Sequence, residues 1–256
     1  MPANPSKFVW YELITSDVDA AEAFYKSVVG WNTEQWGGGP DMRYIILKAG
    51  ETGVAGMMAI PKEAQGMKPA WLGYIHADNV DAATDSVING GGNVLRAPED
   101  IPDVGRFSVV TDPQGAVFMM ITPKGEGGAP VAPGTPGHVG WHELMAEEWE
   151  TAFYFYSNQF EWTKDEPIDI EHMGIYQLFR TGGDAPVGGM MTKPPQIESP
   201  YWLYYFNVAD IDVATERVLQ NKGQVVMGPM QVPGGSWICQ CIDPQGALFA
   251  LVGART

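Results

Sequence analysis

The chain is poor in cysteine, in basic side chains and in long apolar runs, and each shortage closes off a class of protein. Cys239 and Cys241 are the only cysteines. No disulfide framework is available, and two residues apart in a strand they point the same way without the geometry to bridge. This usage fits a reducing compartment, so a cytoplasmic location is expected. Only 15 Lys and Arg stand against 31 Asp and Glu, a formal charge of −16 spread over both halves. Such a surface repels phosphate backbones and anionic lipid, which argues against nucleic acid or a membrane as partner. No apolar run approaches the roughly 18 residues that span a bilayer, and Met1 to Lys7 carries no apolar signal-peptide core. The glycine triplets beginning at Gly37 and Gly90 lack the G-x-G-x-x-G and G-K-[ST] patterns that cradle phosphate, and are expected to be turns.

What is present is a sentence written twice. The 256 residues are long enough for about two domains. Trp10-Tyr11-Glu12-Leu13 lies over Trp141-His142-Glu143-Leu144 at an offset of 131, which persists through Phe24-Tyr25 over Phe155-Tyr156 and Trp31 over Trp162. The offset becomes 133 where Val54-Ala55-Gly56-Met57-Met58 meets Val187-Gly188-Gly189-Met190-Met191, as a two-residue insertion would cause. It returns to 131 from Trp71-Leu72 over Trp202-Leu203 through Asp112-Pro113-Gln114-Gly115-Ala116 over Asp243-Pro244-Gln245-Gly246-Ala247. A repeat of this size is a domain rather than a solenoid unit. The expected division is residues 1–122, a Pro/Gly-rich linker at 123–137, and residues 138–256.

Within one repeat, Phe8 to Ile14 alternates as a strand, Asp17 to Val29 has helical apolar spacing, and Arg43 to Leu47 and Gly53 to Ile60 read as strands. The order then recurs: strand Trp71 to His76, helix Val80 to Ile88 ended at Gly90, and strands near Val94, Phe107 to Thr111 and Val117 to Ile121. Four βαβββ units in an α+β fold are predicted.

Three motifs carry a resemblance that covers nearly the whole chain: Asp17 with Phe24-Tyr25 after the first strand, Asp78-Asn79-Val80-Asp81-Ala82-Ala83 leading into Gly91-Gly92-Asn93-Val94, and Asp112-Pro113-Gln114-Gly115 before the last strand. In that order and in both repeats, the sequence resembles the vicinal oxygen chelate superfamily, which includes glyoxalases, bleomycin-resistance proteins and extradiol dioxygenases. The resemblance implies tandem glyoxalase-like domains whose paired βαβββ units form curved, cup-like mixed sheets with helices outside. Whether units pair within or across the repeats stays open. In metal-dependent relatives, His and Glu ligands converge in the cup on a divalent ion. Here those positions fall on Trp10, Leu72, Met119 and near Met57, and in the second repeat on Trp141, Leu203, Ala250 and near Met190. Indole and alkyl groups do not ligate, and thioethers suit soft ions only. No metal and no other cofactor is therefore expected.

Strand alternation sets Trp10 and Glu12 on the face opposite Leu13, and Trp141 and Glu143 likewise. Glu12 and Glu143 are the candidate acid/base residues. Trp10, Met57, Tyr74, His76 and Met119, with Trp141, Met190, Tyr205 and Asn207, are the candidate substrate-binding lining. A carboxylate beside Trp and Met suits proton transfer near neutral pH; the competing structural reading has it bonded to a backbone amide or to an arginine such as Arg106. Met57 and Met190 equally suit core filling. The other candidates carry less. His142-Glu143 lacks the second histidine of H-E-x-x-H and lies in a strand, His138 stands about 13 Å from His142 along it, Glu171-His172 reads as a solvated loop, and the cysteines have no base beside them.

Two functions follow: a lyase or isomerase that works without the usual metal, or a sequestering protein that holds its ligand between aromatic walls. The partner expected is a small molecule, and the chain is expected to be a monomer or homodimer.

Overall fold

The computed structural model describes residues 6–37, 43–125 and 131–256. The Gly37–Gly39 turn and the linker at 123–137 therefore fall partly outside the described residues, as does most of the amino-terminal heptapeptide. The first repeat runs β1 (Phe8–Thr15), α1 (Val18–Val28), β2 (Asn32–Trp36), β3 (Tyr44–Ala49), β4 (Thr52–Ala59), β5 (Ala70–His76), α2 (Val80–Asn89), β6 (Asn93–Ile101), β7 (Gly105–Thr111) and β8 (Val117–Pro123). The second runs β9 (Val139–Ala146), α3 (Trp149–Phe160), β10 (Thr163–Ile170), β11 (Gly174–Arg180), β12 (Gly188–Thr192), β13 (Tyr201–Val208), α4 (Ile211–Gln220), β14 (Gln224–Gln231), β15 (Trp237–Ile242) and β16 (Leu248–Gly253). This is the predicted βαβββ order four times over.

Local chemistry sets the element boundaries. Asp17, Asn79 and Asp210 cap α1, α2 and α4, each side-chain oxygen accepting from a first-turn amide at about 3 Å. At α3, where Glu148 makes no such bond to the helix, Gln114 reaches over. Its Nε2 donates to the Glu148 carbonyl at 2.8 Å and its Oε1 accepts from the Glu148 amide at 3.1 Å. The βαβββ order calls for three strands after α1, but the sequence reading located only two of them and did not place β2, Asn-Thr-Glu-Gln-Trp, because this edge strand is mostly polar and offers no apolar alternation.

Each repeat forms one mixed, curved eight-stranded sheet, ordered β2-β3-β4-β1-β5-β8-β7-β6 and β10-β11-β12-β9-β13-β16-β15-β14. The compact units are drawn differently. One comprises Met1–Val9, Gly73–Gly127 and His142–Trp202, and the other Trp10–Leu72, Gly128–Trp141 and Leu203–Thr256. Sheets are thus built within a repeat and compact units across repeats, which answers the pairing question both ways.

The second of these units is held by a buried chain of polar groups. Trp71 Nε1 donates to Tyr25 Oη at 2.8 Å, and Tyr25 Oη donates to Asp243 Oδ2 at 3.0 Å. The other oxygen of Asp243 accepts the Gln245 and Ala247 amides at 2.9 Å each, which shapes the D-P-Q-G turn. The other unit repeats the device, with Trp202 donating to Tyr156 at 2.9 Å, Tyr156 to Asp112 at 3.2 Å, and Asp112 accepting from Gln114 and Ala116 at 2.9 Å each. Burial raises the carboxyl pKa of both aspartates, opposed by these backbone and tyrosine donors. Around the first chain pack Phe24 and Phe249, with ring centroids 5.3–5.7 Å apart edge to face.

Tyr25→Phe keeps the ring but leaves Asp243 short of a donor and the Trp71 N–H short of its acceptor inside the core. Chemical denaturation should show a loss of about 1–3 kcal/mol, with Tyr156→Phe costing a similar amount.

Candidate functional site

The β-ladder register decides which side chains meet. Glu12 of β1 pairs with Gly56 of β4, and Gly56 pairs with Ile46 of β3, so the three lie abreast on one face. Tyr44, two residues from Ile46 along β3, shares that face. Its ring lies across Gly56 and its Oη donates to Glu12 Oε2 at 2.9 Å while accepting from Trp10 Nε1 at 3.1 Å. This crossing requires a glycine, since a Cβ on Gly56 would stand 1.8 Å from the Tyr44 hydroxyl. Trp36, paired with Tyr44 from β2, completes the face with its ring 5.9 Å away at 73°. Glu12 is 5% exposed, and the three aromatic residues are half-buried. Burial first and the Glu12 charge second push the Tyr44 phenol well above its ordinary range.

The second repeat builds the same contact. Glu143 pairs with Gly189 and Gly189 with Leu178, and Tyr176, two residues from Leu178, donates to Glu143 Oε2 at 3.0 Å. A Cβ on Gly189 would stand 2.2 Å from the Tyr176 ring. Tyr201 senses the same carboxylate: burial and then the Glu143 charge push its pKa up to about 12.

The register corrects two expected lining residues. Met57 pairs with Leu13 and Met190 with Leu144, so both point away from the glutamates. Each is 0% exposed, with the core-filling role that was the alternative for methionine. The methionines on the glutamate face are Met58 and Met191, one residue along. Arg106 is not a partner of the glutamates either; its guanidinium is held by Asp81 at 2.7 Å and Asp100 at 3.4 Å. Trp10 and Glu12 are brought together through Tyr44, and Trp141 shares a strand face with Glu143 by alternation. Tyr74, His76 and Met119 lie on one face of β5 and β8, where Tyr74 pairs with Met119 and His76 with Ile121. His76 is half-buried, 3.9 Å from Asp78. Tyr205 and Asn207 share a face of β13, and Gln240 Nε2 donates to Tyr205 Oη at 2.9 Å.

Sequence reasoning missed Tyr44, Tyr176, Trp36, Tyr201 and the two glycines. A signal for the pair was available, because Tyr44 and Tyr176 recur at an offset of 132, between the offsets of the flanking strands.

His142 turns to the side opposite Glu143. It stacks on Phe8 with centroids 4.4 Å apart and interplanar angle 8°, and its Nδ1 lies 2.8 Å from the Val187 carbonyl. Burial drives its pKa down to about 4. His172 and Glu171 are solvated, and Cys239 and Cys241 are free and buried with sulfurs 3.5 Å apart.

The residues at the superfamily's ligand positions do not fit a hard or borderline divalent ion. They are indole, alkyl and thioether side chains, Met57 and Met190 turn to the opposite face, and among the described residues no three His, Cys, Asp or Glu gather in a group able to hold one.

Comparison with known proteins agrees with the fold. The model of the Glyoxalase/Bleomycin resistance protein/Dioxygenase superfamily matches residues 7–120 and again 135–251, and the chain belongs to that family as two tandem glyoxalase-like domains. It is 34% identical over 248 residues to the Mycobacterium bovis protein named "Putative glyoxylase CFP32", covering 95% of this chain and 93% of that protein. To the anthracycline biosynthesis protein DauV of Streptomyces sp. (strain C5) it is 29% identical over 264 residues, covering 98% and 94%. Among solved structures, the 2,3-dioxygenase LapB of Pseudomonas sp. KL28 superposes with TM-score 0.68 at 12% identity, covering 99% of this chain and 94% of that one. The Mn(II)-bound glyoxalase of Novosphingobium aromaticivorans gives 0.65 at 16%, covering 99% and 83%. At such identities these structures speak for the fold alone. No helix among the described residues is long and apolar enough to cross a membrane.

Two measurements test this geometry. Gly56→Ala should cost about 1–3 kcal/mol by overpacking, and most of that cost should vanish in a Tyr44→Ala background, which a double-mutant cycle reads directly. For His142 the folded pKa lies below the unfolded value, so its contribution to stability is intact above about pH 6.5 and is lost as pH falls toward 4. Integrated over that window the loss is roughly 3 kcal/mol. Denaturation midpoints across the window should show it in the wild type and largely not in His142→Gln.

Proposed function

We propose that the chain is a small-molecule enzyme of the lyase or isomerase type in which Glu12 and Glu143 move protons and no divalent ion takes part. The observation that carries this reading is the carboxylate–tyrosine pair, built twice at 2.9 and 3.0 Å over a glycine that leaves room for the ring. A buried carboxylate oriented by a phenol O–H is suited to accept a proton from a carbon acid and return it. The tyrosine restrains the carboxylate by donating to Oε2, and the apolar surroundings keep water from competing. Proton abstraction and return at carbon need no redox partner, consistent with a donor set that suits no divalent ion. The names "Putative glyoxylase CFP32" and "Anthracycline biosynthesis protein DauV" support chemistry on small organic molecules.

A second reading rests on a different observation. Tyr44 and Trp10 meet beside Glu12, and the Trp36 ring packs against Tyr44 from the edge strand, an aromatic wall that would serve a protein that binds and holds its ligand unchanged.

One experiment separates the two. A library of carbonyl compounds is incubated with chelator-treated protein in deuterated water, and deuterium uptake is read by mass spectrometry. The enzyme reading expects at least one compound to gain deuterium, with Glu12→Gln and Glu143→Gln together lowering that rate by about 10²–10⁴ while the compound still binds. Compounds that bind without exchange, and bind as well to the Gln variants, would overturn it in favour of sequestration. Exchange that appears only after a divalent ion is restored would overturn the metal-free part.

A further inference from the structure

The two repeats are not equivalent at the strand beside the tyrosine. Tyr44 is paired by Trp36, whereas Tyr176 is paired by Ile168. The first repeat therefore has an indole and a phenol at a near-right angle, ring centroids 5.9 Å apart. A second indole, Trp10, is fixed by its 3.1 Å bond to the same phenol oxygen, and a carboxylate lies directly behind that oxygen at 2.9 Å. Aromatic faces present negative charge density, and a cation within about 6 Å of several of them, with a carboxylate beyond, is stabilised by both. The second repeat retains the carboxylate and the phenol but replaces one wall with an alkyl group.

We infer that the Trp10–Trp36–Tyr44 face, backed by Glu12, is a binding site for an organic cation, a quaternary or protonated amine carried on an apolar skeleton, and that the matching face of the second repeat is not. The inference rests on the reading of this face as a ligand site, which both functions above share. The charge of the chain favours it, since a net −16 raises the local concentration of cations. One resident cation shares the face: Lys48 lies four residues from Tyr44 along β3, about 13 Å away, and its ammonium is taken up by Glu34 at 2.9 Å and Glu51 at 3.6 Å. Arg43 alternates to the opposite side, where Asp19 holds it at 2.6 Å. Lys48 pairs with Gly53, beside the Trp10 ring, so both resident cations are near the face but already matched by carboxylates. The site thus assigns a polarity to the ligand, with its charged end at Glu12 and its apolar body along Ile46 and the rings.

The test uses the full chain and two probes of nearly identical shape, phenyltrimethylammonium and its neutral isostere tert-butylbenzene, with the indole N–H signals of Trp10 and Trp36 followed by NMR. The expected result is that the cation shifts both indole signals and binds about tenfold or more tighter than the isostere. Glu12→Gln and Trp36→Ile should each weaken the cation by a similar factor while changing the isostere little. Trp36→Ile installs on a half-buried edge position the residue that the second repeat already carries, so it tests the site even if Glu12→Gln fails to fold. Equal binding of the two probes, or cation binding unmoved by either variant, overturns the inference and leaves the ligand site standing. If neither probe moves either indole signal, the reading of this face as a ligand site falls with it.

Discussion

Each compact unit depends on a tyrosine that cannot be satisfied by its own repeat. Tyr25 lies in the first helix of the chain and Asp243 in the last turn of the second repeat, yet they share a buried hydrogen bond at 3.0 Å, completed by the Trp71 indole. Tyr156 and Asp112 reciprocate in the other unit. A carboxylate shielded from water is tolerated only when its lone pairs are filled. Here backbone amides of the D-P-Q-G turn fill one oxygen and the phenol fills the other. Turn geometry and helix packing are thereby specified together, and a repeat alone would lack the phenol donor to the second oxygen of its aspartate.

That arrangement divides the labour between the two faces of each strand. On one face Leu13, Ile45, Leu47, Ala55 and Met57 are nearly or fully buried with the helix residues Ala21, Phe24 and Tyr25. The opposite face is thereby available to carry polar groups that do not serve the core. Glu12 and Glu143 stand there, each restrained by a phenol rather than by an arginine. A phenol orients a carboxylate without cancelling its charge, which an arginine partner would do. The glycines beneath the rings are the geometric condition for this choice, since any Cβ at Gly56 or Gly189 would occupy the space that the tyrosine crosses.

The duplicated contact also shows how two copies of one design can diverge at little structural cost. Replacing an edge-strand aromatic by an aliphatic residue, as between Trp36 and Ile168, leaves the ladder pairing with the tyrosine intact. What changes is the electrostatic character of the surface above it. Edge positions are where such variation is least constrained by packing, because only one neighbour strand contacts them.

The linear sequence determined the repeat, the βαβββ order and the recurring D-P-Q-G segments, since these rest on local spacing and on groups a few residues apart. It also determined that Glu12 and Trp10 share a face, because alternation along one strand is a local rule. It did not determine which residues of β3 and β4 join them. Face assignment across strands depends on ladder register, where a slip of one residue exchanges the two faces, and this put Met57 and Met190 on the core side instead of beside the glutamates. Nor could it place the residues of β2, whose polar side chains carry no apolar period, or reveal the Tyr44–Glu12 bond, whose partners lie 32 residues apart. The pairing of Tyr25 with Asp243, 218 residues distant, was likewise decided only by the tertiary structure. Bringing those groups together costs chain entropy that local propensity does not record, and only the burial of both repeats' apolar faces offsets it.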